Sequence, residues 1–70
     1  MMEYAIVIED AGSNYSAYVP NLPGCVSTGG SVEEATSNIR EAITLHIKSL
    51  REHGEEVSMP TSRAGTVQVA

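Results

Sequence analysis

The chain has 70 residues, with nine Asp and Glu against four Lys and Arg, and a net charge of −5. That length accommodates one domain, residues 1–70, whose own core is too small to be robust without further support. The acid excess excludes direct binding of nucleic acid, because phosphate contacts need clustered cations and Arg40, Lys48, Arg51 and Arg63 form no basic run. An acidic surface suits solubility or a basic protein partner.

Small domains gain support from disulfides, metals or partner subunits. Cys25 is the one cysteine, so no internal disulfide can form. His46 and His53 are the other soft ligands, and no Cys-x-x-Cys or His-x₃₋₅-His pair occurs, so no metal or other cofactor is expected. Oligomerisation is what remains, and a homo-oligomer, a dimer or a tetramer, is expected. Met1-Met2-Glu3 opens without the positive segment of a secretory signal. No apolar run approaches the roughly 20 residues of a membrane span. The expected location is the cytoplasm, away from membranes, and Asn14-Tyr15-Ser16 is read as a chance glycosylation pattern.

In chain order, Glu3 to Glu9 alternates as a strand, with Tyr4, Ile6 and Ile8 on one face and Ala5 and Val7 on the other. The turn cluster Asp10 to Asn14 leads to a second strand, Tyr15 to Val19, and the two predict an antiparallel hairpin. Pro20-Asn21-Leu22-Pro23-Gly24 stops the pairing, since each proline lacks an N–H. Cys25 to Thr28 is a short third strand, closed by Gly29-Gly30.

Ser31 stands three residues before Glu34, the spacing of a capping box, and Glu33 and Glu34 suit the positive end of a helix. An apolar stripe through Val32, Ala35, Ile39, Ala42, Ile43, His46, Ile47 and Leu50 predicts a helix of about 20 residues. Gly54 fits the position just past its end. Glu55 to Gly65 is a polar connector, and Thr66 to Val69 alternates as a last strand.

These elements predict an α+β fold of order β-β-β-α-β. Three strands form an antiparallel meander, the long helix crosses one face, and the fourth strand lies parallel to the first. Apolar residues then remain on the uncovered face, where a half-exposed sheet should be polar. A second subunit covering them would resolve this.

Four stretches in this order resemble the HicB antitoxin family. They are Tyr4-Ala5, Tyr15-Ser16-Ala17-Tyr18-Val19-Pro20, Asn21-Leu22-Pro23-Gly24-Cys25-Val26-Ser27, and Ser31-Val32-Glu33-Glu34-Ala35 through Asn38-Ile39-Arg40-Glu41-Ala42. The resemblance covers roughly residues 4 to 60. It implies a partial RNase H-like core. It also implies neutralisation of a HicA-type toxin, a small basic RNA-cleaving protein with a double-stranded-RNA-binding-like fold, whose surface and histidine the antitoxin blocks. Many members carry a C-terminal helix-turn-helix or ribbon-helix-helix for DNA; with 70 residues, no such module is expected here.

The rigid Pro20 to Cys25 loop serves either as a recognition surface or as a connector with Leu22 plugging the core. Tyr18, Leu22 and Pro23, with the acids Glu9 and Asp10, are the candidate partner-binding residues. Cys25 has no neighbour to activate it and reads as a packing residue, as does His46 on the apolar stripe. Glu9 and Asp10 are adjacent on a strand and point to opposite faces, so they do not converge as a two-metal nuclease requires. Thr28-Gly29-Gly30-Ser31 lacks the lysine and spacing of a phosphate-binding loop and reads as a helix-capping turn. No enzymatic activity is expected. The function expected is an antitoxin that covers the active surface of a HicA-like toxin; the alternative is a self-associating adaptor with no toxin.

Overall fold

The hairpin forms from Val7–Asp10 (β1) and Tyr15–Tyr18 (β2), paired antiparallel with Val7 opposite Tyr18 and Asp10 opposite Tyr15. Residues 2–70 are described in this computed structural model, and Met1 of the opening Met1-Met2-Glu3 lies outside the described residues. Gly12 turns the loop at φ +96°, and the Asp10 carboxylate accepts a hydrogen bond from its N–H at 2.8 Å. β1 is shorter than the alternation of Glu3 to Glu9 predicts. Its partner strand ends at Tyr18, and the N–H of the next residue, Val19, donates to Cys25 O at 3.2 Å, within the following loop. Pro20 then offers no donor, so the residues before Val7 are not carried into the ladder.

Val26–Gly29 (β3) pairs antiparallel with β2, giving a sheet of order β1-β2-β3. Val32–Glu52 (α1, 21 residues) follows, about 31 Å long, so it overshoots strands of four residues. Ser31 caps it: Oγ accepts from the Glu34 N–H at 3.1 Å. The Glu34 carboxylate reaches back one residue further than a usual capping box, accepting from the Gly30 N–H at 2.7 Å. At the other end Gly54, at φ +69°, donates to Arg51 O, and Glu55 donates to Leu50 O, the paired bonds of a Schellman motif. Ser31→Ala should lower stability by about 1 kcal/mol, because it orphans the Glu34 N–H. An unchanged urea midpoint at unchanged slope would show that this cap contributes nothing.

One face of the sheet packs on α1. The core is Ala17, Val19, Leu22, Cys25, Ala35 and Ile39, with Tyr4, Ile6, Ile8, Tyr15, Ala42, Ile43 and Ile47 packed around it. Two contacts set the helix on the sheet. Gly29 lies directly beneath Ala35, leaving no room for a Cβ, and Asn38 Nδ2 donates to Thr28 O at 2.8 Å. Val32, on the predicted apolar stripe, is exposed, because the first turn begins before the helix has settled on the sheet.

The expected β-β-β-α-β fold is corrected. The described residues show a three-stranded antiparallel sheet followed by one helix, and no fourth strand parallel to the first. Thr66 to Val69 is irregular, with Val67 and Val69 87 % and 83 % exposed. A strand needs an edge to pair with, and alternation alone does not bring it there. The chain after α1 is tied elsewhere. Tyr4 Oη donates to Ser58 O at 2.6 Å. Asn21 Oδ1 accepts from the N–H groups of Thr61 and Ser62 at 3.1 and 3.0 Å, while its Nδ2 donates to Thr61 Oγ1 at 3.0 Å. The Asn21 bonds hold residues 61 and 62 at the β2–β3 loop and the Tyr4 bond holds Ser58 at the residues before β1, and neither set pairs the chain with β1 as a strand.

Candidate partner-binding surface

Directly opposed residues of an antiparallel sheet share a face. Ile8, Ala17 and Ser27 form a row on the helix side. Val7, Tyr18 and Val26 form the neighbouring row on the side away from the helix. On that outer face Glu9, Ser16 and Thr28 make the next row. Tyr18 is 41 % and Val26 65 % exposed, and no layer among the described residues covers them. An apolar row is therefore aligned across all three strands.

Charge is divided along the chain in the same sense. Residues 1–39 carry Glu3, Glu9, Asp10, Glu33 and Glu34 and no Lys or Arg, while residues 40–70 carry four acids and four cations. The whole net charge of −5 thus belongs to the sheet, the residues leading into it and the first turns of α1. An apolar row flanked by Glu9, on a sheet without a cation, is complementary to a basic apolar surface.

The candidate residues separate into two groups. Tyr18, Glu9, Asp10 and Pro23 are exposed. Tyr18 and Glu9 share the outer face, whereas Asp10 lies in the row of the helix side and its carboxylate braces the hairpin turn. Leu22 is 2 % exposed and sits in the core. The loop closes around it, with Leu22 N–H donating to Val19 O at 3.1 Å and Cys25 N–H donating to Leu22 O at 3.0 Å. Gly24 turns the loop at φ +84°. Leu22 thus anchors the loop from below, while Tyr18, Pro20, Pro23 and Gly24 face solvent.

Three participants escape a reading residue by residue. Val7 and Val26 flank Tyr18 only once the strand register is known, although their parity in each strand was visible. Asn21, whose three bonds join the loop to residues 61 and 62, has no local sequence signal at all.

Cys25 is buried, and desolvation pushes its thiol pKa up, which keeps it protonated and poorly nucleophilic. His53 Nδ1 lies 2.7 Å from Ser49 O at the helix end. Among the described residues, no group of three His, Cys, Asp or Glu is placed to hold a metal ion. No helix among them is long and apolar enough to cross a membrane.

The family model for the HicB-like antitoxins of bacterial toxin–antitoxin systems matches residues 4–69. This chain belongs to the HicB-like antitoxin family. The crystal structure of the N-terminal domain of Burkholderia pseudomallei antitoxin HicB superposes with a TM-score of 0.77 at 37 % identity, covering 89 % of this chain and 73 % of that one. The UPF0150 protein Ta0767 of Thermoplasma acidophilum is 39 % identical over 67 residues, 94 % of this chain and 97 % of that protein. A 14.9 kDa protein of the rep-hol intergenic region of Haemophilus phage HP1 is 43 % identical over 56 residues, 80 % of this chain but only 42 % of its own length. The HicB-like sheet and helix thus occur both in proteins of about this length and as part of longer ones. The family's role is that of an antitoxin, a regulatory binding protein rather than an enzyme.

Proposed function

We propose that this HicB-like chain neutralises a small, basic, RNA-cleaving toxin of the HicA type by covering its active surface, without catalysing a reaction. The observation that carries the reading is the outer sheet face: an apolar row of Val7, Tyr18 and Val26 beside Glu9, on a sheet that has no cation. Charge on such a face speeds encounter with a basic partner, and the desolvated aromatic supplies the affinity that charge alone does not. Tyr18 is the anchor, with Glu9 beside it. Pro23 and Asp10 take positions at the rim, and Leu22 keeps the loop in shape from the core.

The same reading makes the protein a cytoplasmic homo-oligomer that meets nucleic acid only through partners. Its fully buried core numbers six residues, little for a free-standing domain. Its three strands and helix stand as the retained part of an RNase H-like core.

Cleavage of RNA by a purified HicA-type toxin tests the proposal. An equimolar amount of this chain should abolish cleavage at low salt, and the association rate should fall several-fold as salt rises through the physiological range. Undiminished cleavage at low salt would overturn the antitoxin reading and leave a self-associating adaptor.

A further inference from the structure

The apolar row is also the terminal row of the sheet. Val7 opposite Tyr18 is the last pair of the hairpin, and Tyr18 opposite Val26 ends the neighbouring ladder. Residues before Val7 and after Tyr18 therefore leave the ladder at the same end. Tyr4, three residues before Val7, donates from Oη to Ser58 O at 2.6 Å. Asn21, three residues after Tyr18, accepts from the N–H groups of Thr61 and Ser62 and donates to Thr61 Oγ1. The segment 58–62 thus bridges the two chains where their own pairing stops. These bonds belong neither to the helix nor to the sheet. Among the described residues the buried core ends at Ile39, and in this segment Pro60 and Ser62 are no more than half-buried. Releasing the segment exposes polar groups that water can pair and leaves the core untouched, which is the character of a unit that opens well below global unfolding.

We propose that residues 58–62 are a strap, with Asn21 as its catch, whose closure fixes the end of the sheet that presents Val7, Tyr18 and Val26. Closed, the strap ties the β2–β3 loop to the residues before β1. That loop is already turned by Leu22 N–H on Val19 O and Cys25 N–H on Leu22 O, so holding Asn21 holds the turn as a whole. Tyr18 is the last residue of β2 before it, and Val26 the first of β3 after it. Open, the loop loses that tie, and both ends of the apolar row that flank it gain freedom. A partner seated on the row needs this end fixed, so partner binding and strap closure favour each other, and each strengthens the other by the same factor. The consequence for the partner rests on the function proposed above; the strap itself does not.

Amide hydrogen exchange on the full chain tests the strap, and titration with a purified HicA-type toxin tests its link to the partner. In the wild type the Thr61 and Ser62 amides should be protected, yet exchange faster than those of Ile39 and Ile43 in α1. Asn21→Ala should bring Thr61 and Ser62 to the rate of unstructured chain and speed exchange at Leu22 and Cys25, with the helix amides unchanged. Thr61→Pro removes the N–H and the hydroxyl from the strap side and leaves the loop sequence intact; it should do the same at Ser62, Leu22 and Cys25. Each variant should weaken toxin binding at least about fivefold, the low end of coupling between two sites. Both together should weaken it no more than either alone, because they break the same tie. Wild-type Thr61 and Ser62 amides as fast as unstructured chain, or strap and helix amides opening only together, would overturn the strap. Undiminished toxin binding by both variants, or losses that add, would overturn its link to the partner face. A wild type that binds no toxin would sink the antitoxin reading, and the exchange pattern would then decide the strap by itself.

Discussion

Replacing Gly29 by alanine is expected to destabilise the protein by about 3 kcal/mol, the upper part of the range for overpacking. A Cβ there would stand 2.4 Å from Ala35 N, 2.8 Å from Ala35 Cα and 2.9 Å from Glu34 C. All three are backbone atoms of the first turns of α1, so no side chain can swing aside. The helix would have to lift from β3, and Ala35, fully buried, would lose its contact with the sheet. The Asn38 bond to Thr28 O, one turn further on, would stretch with it. Equilibrium denaturation in urea reads the effect directly. A midpoint equal to wild type would mean that the helix rides higher on the sheet than this packing requires.

Leu22→Ala should cost about 2–5 kcal/mol, through lost burial and the cavity left behind. A core of this size supplies only about 3–5 kcal/mol in total, so much of the population should be unfolded at room temperature. Pro23→Ala, one residue on and exposed, serves as the control and should shift the midpoint little. The contrast separates the two roles of the loop. If Leu22→Ala folded normally and lost only partner binding, Leu22 would be a surface anchor and its burial here would be wrong.

What sequence reasoning reached follows from range. The helix was legible because its signals are local: Ser31 and Glu34 at the start, Gly54 at the end and the isoleucine spacing between. The hairpin was legible through Gly12 and the alternation on either side. Strand lengths were not, since β1 extends only as far as β2 can answer it, and Pro20 cuts that answer short. The fourth strand failed for the same reason at longer range. Thr66 to Val69 has the alternation of a strand, but its position depends on Asn21, 40 residues earlier, gripping Thr61. The partner surface was half legible. Tyr18 and Glu9 stand out by residue type, whereas the row Tyr18 forms with Val7 and Val26, with Glu9 in the next row, exists only in the register. Leu22 had two readings in sequence, and its packing among Val19, Cys25 and Ile39 belongs to the core one.

The central claim is that the outer sheet face is the toxin-binding surface. Calorimetric titration of a HicA-type toxin into the wild type and into Tyr18→Ala, Val26→Ala tests it most directly. Both side chains are exposed, so the double variant should keep the wild-type melting temperature to within a few degrees. Its affinity for the toxin should fall about 30-fold or more, the loss of roughly 2 kcal/mol typical of a central aromatic anchor. A folded double variant that binds the toxin as tightly as wild type would contradict the account.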